Sequence, residues 1–174
     1  MRWSASFIRS TRGNAAVEFA LIVPVVLLIG AGIVEFGLAF HVHNQTNRLA
    51  TQYALVWSDC QDSGPNCQTE MNTYATNAAK TNIAPQLNPS GITLRMYQVR
   101  MVGVLPTPVY ASPGGSVPSV DEIAAAVKTI PNGQTGVIVT ATYEHALIFF
   151  PAIMGTYLAG SKLTPSYTVV QLKT

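Results

Sequence analysis

The chain has 174 residues, and only 10% of them are charged, against about 25% in an average globular protein. Its ten basic and eight acidic residues leave a formal net charge of +2 with no basic patch, which excludes an electrostatic nucleic-acid binder. The length fits one membrane helix and one small domain.

In chain order, Arg2, Arg9 and Arg12 come first, with no Asp or Glu among them. The sixteen residues from Phe19 to Val34 follow without a formal charge. They make about 24 Å of helix, and continuation to Phe40 carries the run past the ~30 Å of a hydrocarbon core. Glu18 and Glu35 bracket this span, about 26 Å apart along a helix axis, and can sit near opposite interfaces. Two readings of Glu35 stay open: a plain interfacial carboxylate, or one with a partner. A carboxylate in a membrane segment usually has a partner or a task, and Glu18 is assigned a task. The arginines keep the short tail cytoplasmic and send the remainder outward. A removable signal peptide is the competing reading, but its apolar core would be shorter and its cleavage site better marked.

The helical pattern does not stop at the interface. Phe36, Phe40, Leu49, Tyr53 and Val56/Trp57 recur near one helical face, and no Pro or Gly falls between Leu38 and Cys60. The pattern predicts one helix over Thr11–Ser58, about 70 Å long. It is apolar all round in its first half and amphipathic in its second. Pro24, with Gly30 and Gly32 after it, predicts a kink or local loosening.

Cys60 and Cys67 flank a turn-rich hexapeptide. A disulfide across so short a loop is geometrically easy, and an envelope compartment permits it. The spacing is not that of a redox Cys-x-x-Cys pair. A second helix is predicted over 68–82, ended by Pro85 and Pro89. Ile92–Val102 reads as a strand whose apolar positions change phase between Met96 and Tyr97. That change predicts a bulge or a strand packed on both faces. Residues 106–119 read as a surface loop. Ser119-Val120-Asp121-Glu122 is a capping box that opens a short helix to Ile130. Strands are predicted over 136–150 and 167–172. The connection between them, 148–158, is unusually apolar: it either covers the core or forms an exposed patch for a partner or the membrane surface. The fold class is therefore α+β. A long N-terminal membrane-spanning helix continues into a small extracytoplasmic domain with a short helix or two and a roughly three-stranded antiparallel sheet.

No catalytic constellation can be nominated. His41 and His43 are two apart on a helix and diverge, and His145 and Glu144 point to opposite faces of a strand. No metal set, cofactor site or phosphate loop is present in the pattern. The expectation is a non-enzyme.

The run Gly13-Asn14-Ala15-Ala16-Val17-Glu18-Phe19 resembles a type IV prepilin cleavage site. Its continuation to Pro24, with Gly32-Ile33-Val34-Glu35-Phe36-Gly37, resembles the TadE-like minor pilins of tight-adherence (Tad/Flp) pilus systems. The resemblance spans about Arg12 to Ala54. It implies that a prepilin peptidase cuts after Gly13 and that Glu18 becomes the fifth residue of the processed chain. Domains follow: a basic leader 1–13, a long helix 14–58 with its membrane half first, and an extracytoplasmic domain 59–174. Cleavage would leave seven basic and eight acidic residues. It would also create an amino group on Asn14, mostly protonated at neutral pH, one helical turn from Glu18 and able to pair with it or with a neighbour's. The resemblance implies the second pairing during filament assembly. The implied partners are other Tad pilins or pseudopilins, the inner-membrane assembly platform, the prepilin peptidase and the lipid bilayer. The main Flp pilin is much shorter, so the length implies a minor component. The implied place is the bacterial inner membrane, with the outer domain periplasmic, or the extracellular pilus. The alternative is a single-pass anchored envelope domain that binds a partner and never joins a filament.

Overall fold

The computed structural model describes residues 11–60, 65–111, 117–149 and 162–173. The leader up to residue 10, the centre of the Cys60–Cys67 loop, the Gly114-Gly115 turn and most of the apolar stretch 148–158 lie outside the described residues.

Helix α1 runs unbroken over Thr11–Asp59, 49 residues with Pro24 inside, about 73 Å at 1.5 Å per residue. Cys60 is disulfide-bonded to Cys67, which ties the end of α1 to α2 (Pro65–Tyr74). The single second helix expected over 68–82 is two helices, α2 and α3 (Asn77–Ile83). Thr76 causes the break: its extended backbone and its hydroxyl, which accepts from the Ala79 amide, cap a new helix start. Helix α3 ends before Pro85, as the residue preceding a proline is pushed out of helical backbone.

Four strands form an antiparallel sheet: β1 (Ile92–Val102), β2 (Leu105–Ala111), β3 (Thr135–Tyr143) and β6 (Ser166–Leu172), in the order β2-β1-β3-β6. A separate small hairpin pairs β4 (His145–Ala146) with β5 (Lys162–Leu163). Strand β2 corrects the loop expected over 106–119. Pro106 and Pro108 pair opposite Met101 and Val99, and they are tolerated because β2 is an edge strand that need not donate outward. The turn that joins it to β1 is two residues long and starts on Gly103 at φ +67°, the positive φ that a tight hairpin turn requires. The strand expected over 136–150 ends at Tyr143, and its last residues instead form β4 and the chain beyond it.

The sheet is covered on both faces, which explains the phase change in β1. Ile92, Leu94 and Met96, with Val137, Val139 and Ala141 of β3, face α1 and its buried side chains Leu49, Tyr53 and Trp57. Tyr97, Val99, Met101 and Ile138 face the other way and pack against Ala126 and Ile130, at and just beyond α4 (Val120–Thr129). The central strand is thus buried on one face in its first half and on the other in its second. The β1–β2 register also shifts between Gln98 and Val99. Gly136 lies where Ile130 closes on the sheet. A Cβ there would stand 2.4 Å from an Ile130 methyl and 2.8 Å from the Gln171 carbonyl oxygen.

Helix α4 begins with the expected capping box, Ser119 and Glu122 each satisfying the other's backbone amide. Glu122 is buried and does more: Arg95 donates to it at 3.2 Å, and also to the Tyr97 hydroxyl at 2.8 Å and the Val117 carbonyl at 3.1 Å. A carboxylate buried this deeply needs such partners, and they fix the start of α4 to the sheet.

Candidate functional site: one helix, two surroundings

The apolar side chains in the first half of α1 are not buried by the rest of the protein. Phe19 is 70% exposed and Leu28 57%, and none of the most apolar 18-residue stretch is buried within the protein. The helix is long and apolar enough to cross a membrane. Exposed apolar side chains continue at Phe36, Leu38 and Phe40. From Val42 onward the pattern changes: Val42, Thr46, Leu49, Ala50, Tyr53, Ala54 and Trp57 are buried against the sheet, a single stripe at spacings of three and four.

The residues of the suggested processing site lie at the start of this helix. Gly13 and Asn14 are in the first described turns of α1. Glu18 and Phe19 are both exposed. Pro24 lies within the continuous helix.

Glu35 is the departure from the first half's pattern. It is only 2% exposed, although its neighbours Val34 and Phe36 are open. Its carboxylate accepts from the Ile148 amide at 3.0 and 3.1 Å and from the Phe149 amide at 2.8 Å. Of the two readings of Glu35, the partnered one holds. The partner is backbone, 113 residues along the chain, and no side-chain pattern in the sequence pointed to it.

Beside Glu35 an apolar groove of about 620 Å³ runs between α1 and the β4–β5 hairpin, lined by Phe36, Phe40, Val42, His43, His145 and Leu163 among others. His43 is hydrogen-bonded to the Tyr167 hydroxyl, and the two rings meet edge to face. Glu144 and Lys162 form an exposed ion pair at 2.6 Å across the hairpin. His41 and His43 do not converge. Among the described residues no three His, Cys, Asp or Glu side chains form a group that could hold a metal ion. At the far end of α1, the buried Tyr53 hydroxyl donates to the Tyr74 carbonyl, and burial pushes its pKa up to about 12.

Geometrically, then, α1 offers one surface to an apolar medium and another to its own domain, with a pinned carboxylate between them. Residues 13–54 match the family model described as TadE-like protein. No curated protein and no solved structure matches the chain. The matched segment covers the suggested processing site, the exposed apolar half of α1, Glu35 and most of the packed half. The amino-terminal quarter of this chain is TadE-like, and that likeness associates it with the Tad pilus system.

Proposed function

We propose that this protein is a structural, non-catalytic minor pilin or pseudopilin of a Tad/Flp-type pilus, processed by a prepilin peptidase after Gly13. Its first helical half spans the bacterial inner membrane with the leader cytoplasmic, and its outer domain stands in the periplasm. The observation that carries this reading is the continuity of α1. A single helix leaves the apolar region and becomes the packed spine of the outer domain without a linker. A simple anchor has no need of that stiffness, whereas a subunit extracted from a bilayer into a filament needs its helix and head to move as one. Three arginines and no carboxylate in the leader support the orientation. The TadE-like match supports the system.

Glu18 is assigned to pair with the new amino terminus of Asn14, its own or a neighbouring subunit's. The test is Glu18→Ala in the native host. The reading expects normal amounts of membrane-inserted protein and a fall in surface piliation of tenfold or more. Unchanged piliation would favour the anchored, non-filament domain instead.

A further inference from the structure

We propose that the outer domain itself touches the bilayer, with Ile148 and Phe149 seated in the interface of the outer leaflet and Glu35 as the residue that positions them. This rests on the reading of α1 as a membrane span and adds a second, protein-domain contact with the same lipid.

Depth comes first. Twenty residues separate Ala15 from Glu35, about 30 Å of helix, which equals a typical hydrocarbon thickness. The exposed apolar surface of α1 does not end at Glu35 but continues to Phe36 and Phe40, each 67% exposed. Ile148 and Phe149 are hydrogen-bonded to Glu35, so they lie below the upper edge of that apolar belt. The direction of the chain agrees. His145 shares the groove with Val42 and His43, and three residues later Ile148 is at the level of Glu35. The chain therefore descends along α1 from the packed half toward the span.

Exposure comes second. Leu147 is buried, while Ile148 and Phe149 are 58% and 52% exposed. Two large apolar side chains are thus presented beside an apolar helix surface with which they are continuous.

The hydrogen bonds favour lipid over water as the surroundings. An amide at the end of a short strand needs no protein acceptor in water. In an apolar phase each unsatisfied amide costs several kcal/mol. Here both amides are given to one carboxylate, and that carboxylate is itself withdrawn from solvent. Each group lowers the other's cost, as expected where neither can reach bulk water. Glu35 is accordingly a positioning residue: it fixes the height and orientation of the Ile148–Phe149 edge, and with it the tilt of the outer domain on the membrane.

The test is site-specific photocrosslinking of the full chain in native membranes, with p-benzoylphenylalanine replacing Phe149. Two reference positions are replaced in separate proteins: Leu28 in the span and Val109 on edge strand β2. The proposal expects phospholipid adducts, read by mass spectrometry, at 149 and 28 and at least fivefold fewer at 109. Adducts at 28 but none at 149, or only polypeptide adducts at 149, would overturn the proposal and leave the span intact. Absence of lipid adducts at 28 would overturn the span reading and the proposal with it. Glu35→Ala should lower the yield at 149 at least threefold with the yield at 28 unchanged, and Glu35→Gln, which keeps one acceptor oxygen, should fall between. Equal yields at 149 in all three proteins would remove Glu35 from its positioning role.

Discussion

The two halves of α1 are equally helical, yet one is apolar all round, the other is amphipathic, and they are built for different surroundings. In residues 15–34 apolar side chains point in every direction and are open to the outside. In residues 42–57 most of them form one stripe buried against the sheet, while Leu55 and Val56 lie on the open side. Stability in the second half comes from burial against the sheet, with each large side chain such as Leu49 or Trp57 contributing about 1.5–3 kcal/mol. The first half has no such packing, so its apolar surface is tolerable only in an apolar medium. Amount and pattern of hydrophobicity together separate the apolar half from the packed half. Glu35 marks the change, since its carboxylate holds the outer-domain backbone at Ile148 and Phe149 beside the first half.

Substitutions can break this contrast. Trp57→Ala should destabilise the outer domain by about 3–5 kcal/mol through the cavity it leaves. Leu28→Ala, also in α1, should change it by less than about 0.5 kcal/mol. Denaturant titration of detergent-solubilised protein, followed by near-ultraviolet circular dichroism, measures both. Equal losses would mean that the first half packs on the domain after all.

Leu28→Arg reverses the contrast. It should oppose membrane insertion by about 2.5–3.5 kcal/mol while leaving the domain's core untouched, and carbonate extraction of membranes would report it as a shift to the soluble fraction. The corresponding change on the second half's open side, Val56→Arg, should leave extraction unchanged.

Alkali sharpens the comparison without a mutation. Tyr53 titrates near 12 in the folded domain and near 10 when unfolded. The folded state therefore holds the proton more tightly. The associated stability is complete below pH 10 and is lost as pH rises through 12, on the order of 2 kcal/mol. Tyr53→Phe should flatten that part of the profile, and the span's helical signal should not follow it.

Gly136→Ala tests the opposite face of the sheet. The added methyl must displace Ile130 and a backbone carbonyl, which should cost about 1–3 kcal/mol. Ser119→Ala, which removes only one side of the α4 capping box, should cost about 1 kcal/mol. Neither touches α1, so both should leave membrane extraction as it was.

Local patterns in the chain made most of these elements legible. The long helix was visible because its first half is uncharged and its second keeps a helical period without Pro or Gly. The capping box at Ser119 and the Cys60–Cys67 bond were legible for the same reason: each is a short-range feature. What stayed hidden depends on tertiary placement. Pro106 and Pro108 argue against a strand until β2 is known to be at an edge. Thr76 looks like any helix residue until its hydroxyl is seen to cap α3. Arg95 gives no sign that it meets Glu122, 27 residues away. At the site, the resemblance pointed to Gly13, Glu18 and Phe19, and Glu35 was visible as an oddity. Its hydrogen-bond partners are backbone amides, which every residue carries and no sequence pattern distinguishes.

The most direct measurement is the amino-terminal sequence of the protein recovered from membranes of cells with and without the prepilin peptidase. The account predicts a start at Asn14 that depends on the peptidase, with the whole of the apolar half retained. A start at Met1 in both cells would contradict processing and leave Glu18 without a new amine to meet. A start beyond Phe40 would contradict the central claim, because the half of α1 assigned to the membrane would then be a discarded signal.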